Sequence, residues 1–249
     1  MHIRSTEIAE WIRSRVTAAG ARGIVVGLTG DLDSAVVAGL CRAALADRAI
    51  ALLMCEPADA ADARGVAEHF GLAAAAVDLD APQAALSGAL HAAFGPSEAD
   101  ARPDGAVDPA EHAASGLQAR LRMASLYYVA NTLNYLVAGA LNRCDLTVGA
   151  FRKHGDGAAD LFPVGHLLAS EVRALAVDLD LPGHMVQKPA AAGGRHAEDA
   201  DRRVTYDDVE RYLSGGPEAV PPAMALRIER LIRNSAHKRA PVITPDPEF

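Results

Sequence analysis

Thr29-Gly30-Asp31-Leu32-Asp33-Ser34 is a short polar loop between an apolar run, residues 24–28, and a strongly helical stretch, residues 35–46. A strand–loop–helix turn of this kind aims backbone N–H groups at a common centre at a helix N-terminus, where the dipole favours an anion. Gly30 lets the chain approach a phosphate closely. Asp33 stands where a carboxylate can hold Mg²⁺ against that phosphate. The plainer reading of the same residues is a strand–helix turn with Ser34 or Asp33 as N-cap. Local spacing leaves both readings open, with Thr29, Gly30, Asp31 and Ser34 as the candidate phosphate-loop residues.

Other chemistries find little support. Cys41, Cys55 and Cys144 are far apart and include no C-x-x-C pair, which argues against a zinc or redox site. An odd cysteine count with no apolar leader in residues 1–11 points to reduced thiols and a cytoplasmic location. Lys+Arg is 24 against Asp+Glu 32, a net charge of -8, so the basic footprint of a nucleic-acid binder is missing. No run reaches the roughly 18 uninterrupted apolar residues of a membrane span.

The elements that must position the loop follow from periodicity. The chain has 249 residues, 50% hydrophobic but only 4% aromatic, so its core must be mostly Ala, Val, Leu and Ile. That composition favours helices on a buried parallel sheet. Ile8, Trp11, Ile12 and Val16 recur at helical spacing, which predicts a helix over 4–19. Strands are expected at 24–28, 49–55, 73–79 and 135–139, and helices at 35–46, 59–70, 83–94, 112–133 and 167–179. Residues 142–150 turn into a helix, and 151–165 are irregular. Helices at 206–213 and 223–235 close the chain. Segments 95–111 and 188–204 are Pro-, Gly- or Ala-rich without periodicity and are expected to be mobile loops. The alternation predicts one domain, 1–249: a doubly wound, mostly parallel α/β sheet with helices on both faces and a C-terminal helical appendage.

The loop resembles the S-G-G-x-D-S pyrophosphate loop of the N-type ATP pyrophosphatases, a superfamily with an adenine nucleotide alpha hydrolase-like fold. Further segments narrow the resemblance to one branch, NAD synthetase. These are Gln118-Ala119-Arg120-Leu121-Arg122-Met123, Asn134-Tyr135-Leu136-Val137, residues 151–160, Lys188-Pro189, Tyr206-Asp207-Asp208-Val209, and the tail containing Ile228-Glu229 and His237-Lys238-Arg239. The similarity is collinear from about residue 5 to about 245. It implies a homodimer that uses ATP and Mg²⁺ to adenylate the carboxylate of deamido-NAD, after which ammonia displaces AMP. The ammonia would arrive free or from a separate glutaminase, since 249 residues leave no room for an amidase domain beside this fold.

Residue by residue, the resemblance makes Asp33 and Asp145 the Mg²⁺ ligands and Asp33, Lys153 and Asp160 the catalytic residues. Thr29, Gly30, Asp31 and Ser34 would meet ATP, and Arg120, Phe151, His237 and Lys238 the dinucleotide. This chain also departs from the pattern. Asp145 stands for the usual Glu, and Asp31 for the second glycine of the loop. Ala140, Ala169 and Ala191 stand for a Thr, a Lys and a Ser or Thr. One charge-assisted phosphate contact is worth ~1.5–3 kcal/mol, so the departures weaken the ATP side while the dinucleotide side is better kept. Three functional readings follow. The first is a divergent ammonia-dependent NAD synthetase. The second is a relative acting on another carboxylate or nucleotide with little or no ATP use. The third is a non-catalytic dinucleotide-binding protein.

Overall fold

The apolar run after the first helix forms a strand with a neighbour on each side, so alternate side chains enter different cores. The computed structural model describes residues 5–55, 57–94, 109–188 and 204–241. In it, β1 (Gly23–Leu28) pairs in parallel with β2 (Ala49–Leu53) and with β4 (Tyr135–Ala138), while β2 pairs in parallel with β3 (Ala73–Ala76). The sheet order is β3-β2-β1-β4, and each parallel step requires a crossover connection.

Ile24, Val26 and Leu28 of β1 join Ala49, Ala51 and Leu53 of β2 in the larger core. Among the helices that close that core are α1 (Ser5–Ala18), α2 (Leu32–Leu45) and α7 (Ala169–Asp178). Val25, Leu52 and Val137 point the other way, onto Met123, Leu126 and Ala130 of α5 (Pro109–Leu133). Helices therefore cover both faces, as the strand–helix alternation implies. Gly39, inside α2, is required by packing, because a Cβ there would lie 2.6 Å from the Phe70 ring.

Element boundaries differ from expectation for local reasons. α2 begins at Leu32 rather than at residue 35, because the Asp31 side chain caps it. The cap is thus Asp31, and the sequence-based choice of Asp33 or Ser34 is corrected: both lie inside the first turn, where they are buried. α5 begins at Pro109, so 109–111 are helical rather than loop. The remainder of the two loops expected to be mobile, 95–108 and 189–203, lies outside the described residues, as does Ala191.

The other helices are α3 (Ala60–His69), α4 (Asp80–Phe94), α6 (Arg143–Val148), α8 (Gly183–Val186), α9 (Tyr206–Gly215), α10 (Pro222–Asn234) and α11 (Ala236–Arg239). The C-terminal helices α9 and α10 pack on α6, so the appendage is docked beside the loop rather than hanging free. Among the described residues no helix is long and apolar enough to cross a membrane.

Among the described residues, a surface patch on α4, β3 and α5 lacks a cover. α4 packs against α5 but buries none of its side chains, and all four alanines of β3 are exposed. Leu86 and Leu90 are 40% and 44% exposed, Phe94 85%, and Tyr128 of α5 75%. Large exposed apolar surface of this kind marks an interaction surface in a soluble protein.

Candidate active site

β1 ends at Leu28, and the chain turns through Thr29, Gly30 and Asp31 into α2. Gly30 has φ +81, and a Cβ on it would lie 2.6 Å from the carbonyl oxygen of Asp59, so only glycine fits. The turn is fastened from outside by Lys188, whose Nζ donates to the Gly30 carbonyl at 2.7 Å, to Asp59 Oδ1 at 3.0 Å and to Asp62 Oδ2 at 2.6 Å. His184 Nε2 lies 3.4 Å from the other oxygen of Asp62.

Asp31 folds back into its own loop. Its Oδ1 accepts from the backbone N–H of Ser34 at 2.8 Å, and its Oδ2 accepts from the Thr29 hydroxyl. The N–H that an anion would seek at the start of α2 is thus already held by a side-chain carboxylate of the same chain.

A second loop–helix junction faces this one. β4 runs through Gly139 and Ala140 into α6, whose N-cap is Asn142. Asn142 Oδ1 accepts from the N–H of Cys144 at 2.8 Å and of Asp145 at 3.2 Å, while Asp145 Oδ2 accepts from the Asn142 N–H at 3.0 Å. This closed capping box leaves the Asn142 amide free to reach across, and its Nδ2 donates to Asp33 Oδ1 at 3.4 Å. Tyr206, the first residue of α9, donates its hydroxyl to Asp145 Oδ1. One asparagine therefore ties the two acids together, and a tyrosine from the C-terminal appendage completes the group.

Among the described residues, acids outnumber bases around this site. Asp33 is 8% exposed, and burial, helped by the charges of Asp31 and Asp145, pushes its carboxyl up to about 8. Asn142 and the Arg173 guanidinium oppose that rise. Burial pushes Asp145 up to about 7, against the hydrogen bonds from Tyr206 and Asn142. Two buried carboxylates that repel each other suit a divalent cation with hard oxygen ligands. Among the described residues no three His, Cys, Asp or Glu groups form a metal cage by themselves. A cation held by Asp33 and Asp145 would therefore need further oxygens from water or a phosphate, which is the usual Mg²⁺ arrangement.

These groups line a cavity of about 160 Å³ at the C-terminal edge of the sheet, where ligands bind in open α/β folds. Thr29, Asp31, Asp33, Ser34, Asp145 and Tyr206 form its polar side, and Met54, Met123 and Leu126 an apolar wall. Arg122 also opens onto an adjoining hollow of about 300 Å³ at the ends of β2 and β3, lined among others by Leu53, Cys55, Arg64 and Gln118.

Five of the remaining sequence-derived site residues, Arg120, Phe151, Lys153, His237 and Lys238, gather in a separate group. Phe151 is 4% exposed, with Lys238 Nζ 5.7 Å from its ring centre. That Nζ donates to the carbonyls of Gly149 and Phe151 at 2.8 and 3.0 Å. Lys153 Nζ donates to the His237 carbonyl at 2.7 Å, and Arg120 Nη2 to the Lys153 carbonyl at 3.1 Å. The His237 ring lies 3.0 Å from the Asn234 carbonyl. Asp160 accepts from the Val137 N–H at 2.8 Å and from the Tyr127 hydroxyl at 2.9 Å. In this conformation these five and Asp160 bond to their own scaffold, and none of them lines the 160 Å³ cavity.

Ala140 lines that cavity, and Ala169 is the first residue of α7. Arg173, one turn along the same face of α7, donates to the carbonyls of Val186 and Lys188. Arg143 faces a different hollow with Trp11 and His166. Cys144 is fully buried, and burial pushes its thiol up to about 12, as befits a small inert core residue. Asn142, Tyr206, Lys188 and Arg173 were not assigned roles from sequence. Only the Tyr206 and Lys188 segments carried a signal, as parts of the resembling motifs.

The sequence model of NAD synthase matches residues 4–242. The NH(3)-dependent NAD(+) synthetase of Carboxydothermus hydrogenoformans is 36% identical over 95% of this chain and 94% of its own length. Among solved structures, the NMN synthetase from Francisella tularensis superposes with a TM-score of 0.82 at 30% identity, over 97% of each chain. The NAD+ synthetase from Burkholderia pseudomallei gives 0.77 at 26% identity, over 94% of this chain and 88% of that one.

Proposed function

Because the chain belongs to the NAD synthase family, we propose that it is an ATP-dependent, amide-forming ligase acting on the nicotinate carboxylate of deamido-NAD, with ammonia as the nitrogen donor. The observation that carries this reading is the pair of buried acids, Asp33 and Asp145, joined through Asn142 at the mouth of the parallel sheet.

The reaction divides into two displacements. A carboxylate oxygen of the substrate attacks the α-phosphorus of ATP and pyrophosphate leaves. Ammonia then attacks the acyl carbon, AMP departs with the carboxylate oxygen, and a proton is released to give the amide. Asp33 and Asp145 are the residues that would hold Mg²⁺, which supplies charge neutralisation for the departing pyrophosphate. The N–H groups at the start of α2 would hold the same anion once Asp31 yields them. Met54, Met123 and Leu126 would keep water from the acyl adenylate while ammonia attacks. The adjoining hollow with Arg64, Gln118 and Arg122 is of a size and polarity to take the nucleoside of ATP.

The dinucleotide would lie on the side of Arg120, Phe151, Lys153, Asp160, His237 and Lys238, reached by rearrangement of Lys153 and Lys238 or by a second subunit. A homodimer is favoured by the uncovered face of α4, β3 and α5. Leu90→Glu, which puts a charge into that face and disturbs no buried side chain, is expected to convert a dimer to a monomer in sedimentation velocity. A wild-type chain that sediments as a monomer at micromolar concentration would remove the dimer from the proposal. The acidic charge, the reduced thiols and the small-molecule substrates suit a cytoplasmic enzyme without nucleic-acid or membrane partners.

A second acid substrate has a specific observation in its favour. The neighbour with TM-score 0.82 is an NMN synthetase, so nicotinate mononucleotide is the other candidate. One assay separates the readings: purified protein with ATP, Mg²⁺, ammonium and either acid, followed for AMP and for the amidated nucleotide. The proposal expects stoichiometric AMP and NAD from deamido-NAD. NMN from the mononucleotide at a higher kcat/KM would shift the substrate but keep the chemistry. No AMP with either acid, at high enzyme concentration, would leave a binding protein.

A further inference from the structure

We infer that Tyr206 is the positioning residue that fixes Asp145 for the divalent cation, a role that makes the C-terminal helix α9 part of the site. The inference rests on the metal-dependent reading above and goes beyond it.

The geometry is specific. Asp145 is one methylene shorter than the glutamate that the family pattern places there, so its carboxylate stays close to its own helix. Oδ2 is committed to the Asn142 N–H in the capping box of α6. Oδ1 accepts from the Tyr206 hydroxyl, and both residues line the cavity. A phenol O–H has one proton to give, so this bond leaves the other lone pair of Oδ1 pointing in a fixed direction. Without it the carboxylate could turn about its Cβ–Cγ bond, whose torsional preference is weak. Hydrogen-bond donors behind a metal-binding carboxylate orient it, and their loss costs ~10–100-fold in metal affinity.

The turn that carries Tyr206 is itself held by its neighbours. The Thr205 hydroxyl accepts from the Asp208 N–H at 3.2 Å, Asp208 Oδ2 accepts from the Thr205 N–H at 3.1 Å, and Arg211 Nη2 donates to Asp208 Oδ1 at 2.8 Å. Glu210 Oε1 accepts from the Ser170 N–H at 2.6 Å, tying α9 to the start of α7. The first turn of α9 is thus anchored to the helix that also carries Arg173. The acids and bases facing the phenol are Asp145 and Asp33 from the other elements, with Asn142 between them.

Tyr206→Phe removes the hydroxyl and keeps the ring. The probe is Mn²⁺ with the α,β-methylene analogue of ATP, and free Mn²⁺ is read by electron paramagnetic resonance, independently of turnover. The expected result is a rise of about fivefold or more in the Mn²⁺ half-saturation concentration, with little change in melting temperature. In an Asp145→Asn background the same substitution should add nothing, because Tyr206 acts through that carboxylate. A purely structural role would lower the melting temperature and leave the Mn²⁺ curve in place, which overturns the inference, as does additivity with Asp145→Asn. If the wild type takes up no Mn²⁺, the metal-dependent reading falls together with this one. If the wild type binds and Tyr206→Phe binds equally well, only Tyr206 is excluded. Should Tyr206→Phe fail to fold, the wild-type chain labelled with 3-fluorotyrosine has five tyrosine resonances to watch. Paramagnetic broadening of one of them by Mn²⁺ supports the assignment, and broadening of none overturns it.

Discussion

Replacing Asp31 by glycine is expected to tighten binding of ATP and of inorganic pyrophosphate by about tenfold or more, a gain of ~1.4 kcal/mol. The Asp31 carboxylate holds the Ser34 N–H and the Thr29 hydroxyl, the groups that an incoming phosphate would use. A phosphate that enters must take those donors from Asp31 and also face its charge. Two unit charges 4 Å apart interact by ~4 kcal/mol near a protein surface, so repulsion of this order outweighs the cap itself. Glycine is a serviceable N-cap, costing only ~0.5 kcal/mol or less relative to aspartate, so the fold should tolerate the change. Calorimetric titration with pyrophosphate at fixed Mg²⁺ checks this, alongside a melting curve. Equal or weaker affinity in Asp31→Gly would mean that the carboxylate leaves the loop without cost, or helps to hold the cation.

Asp33→Asn is expected to act in opposite directions on activity and stability. Loss of the buried acid should lower the rate of AMP formation by a factor on the order of 10²–10³, the usual consequence of removing one group that stabilises transition-state charge. The cation-free protein should at the same time become more stable at alkaline pH. The Asp33 carboxyl is raised from 3.8 to about 8 in the fold. The folded state therefore keeps a proton that the unfolded chain releases between those values. The contribution of this group to stability is complete below about pH 4, declines as pH rises, and is gone above pH 8. The Asp145 carboxyl, raised to about 7, adds to the same slope. In EDTA the wild type should thus lose stability on the order of a few kcal/mol between pH 5 and pH 8.5, while Asp33→Asn should lose distinctly less. Mg²⁺ with pyrophosphate should flatten the wild-type slope. Identical pH slopes for wild type and Asp33→Asn would rule out Asp33 as the buried proton-binding group.

Much of the scaffold was legible because its signals are local. The run Ile24–Leu28 carries no period-2 pattern, yet it is buried on both faces, as a central parallel strand must be. The positions of all four strands and of the large helices came through from apolar runs and helical spacing. What local reasoning displaced was the start of α2. A carboxylate at 31 was read as an intruder in an anion loop, and the structure shows that it is also the N-cap. The uncovered face of α4 was not legible either, since Leu86, Leu90 and Phe94 have the spacing of an ordinary buried stripe.

The candidate site divides along the same line. Asp33 and Ser34 could be placed at the mouth of β1 by their neighbours alone. That Asp145 would face Asp33 through Asn142, which lies 109 positions along the chain from Asp33, depends on the parallel pairing of β4 with β1. The phenol of Tyr206 reaches Asp145 across 61 positions, and Lys188 reaches Gly30 across 158. No periodicity encodes such distances. The sequence by itself determined a doubly wound α/β fold with an acidic loop at the end of its first strand, because backbone propensity and hydrophobic period act over a few residues. Tertiary structure alone decided which acids share a buried space, which donors they keep and which cations are already engaged. Those outcomes depend on helix docking and on the desolvation that docking imposes, and both are set by the whole sheet at once.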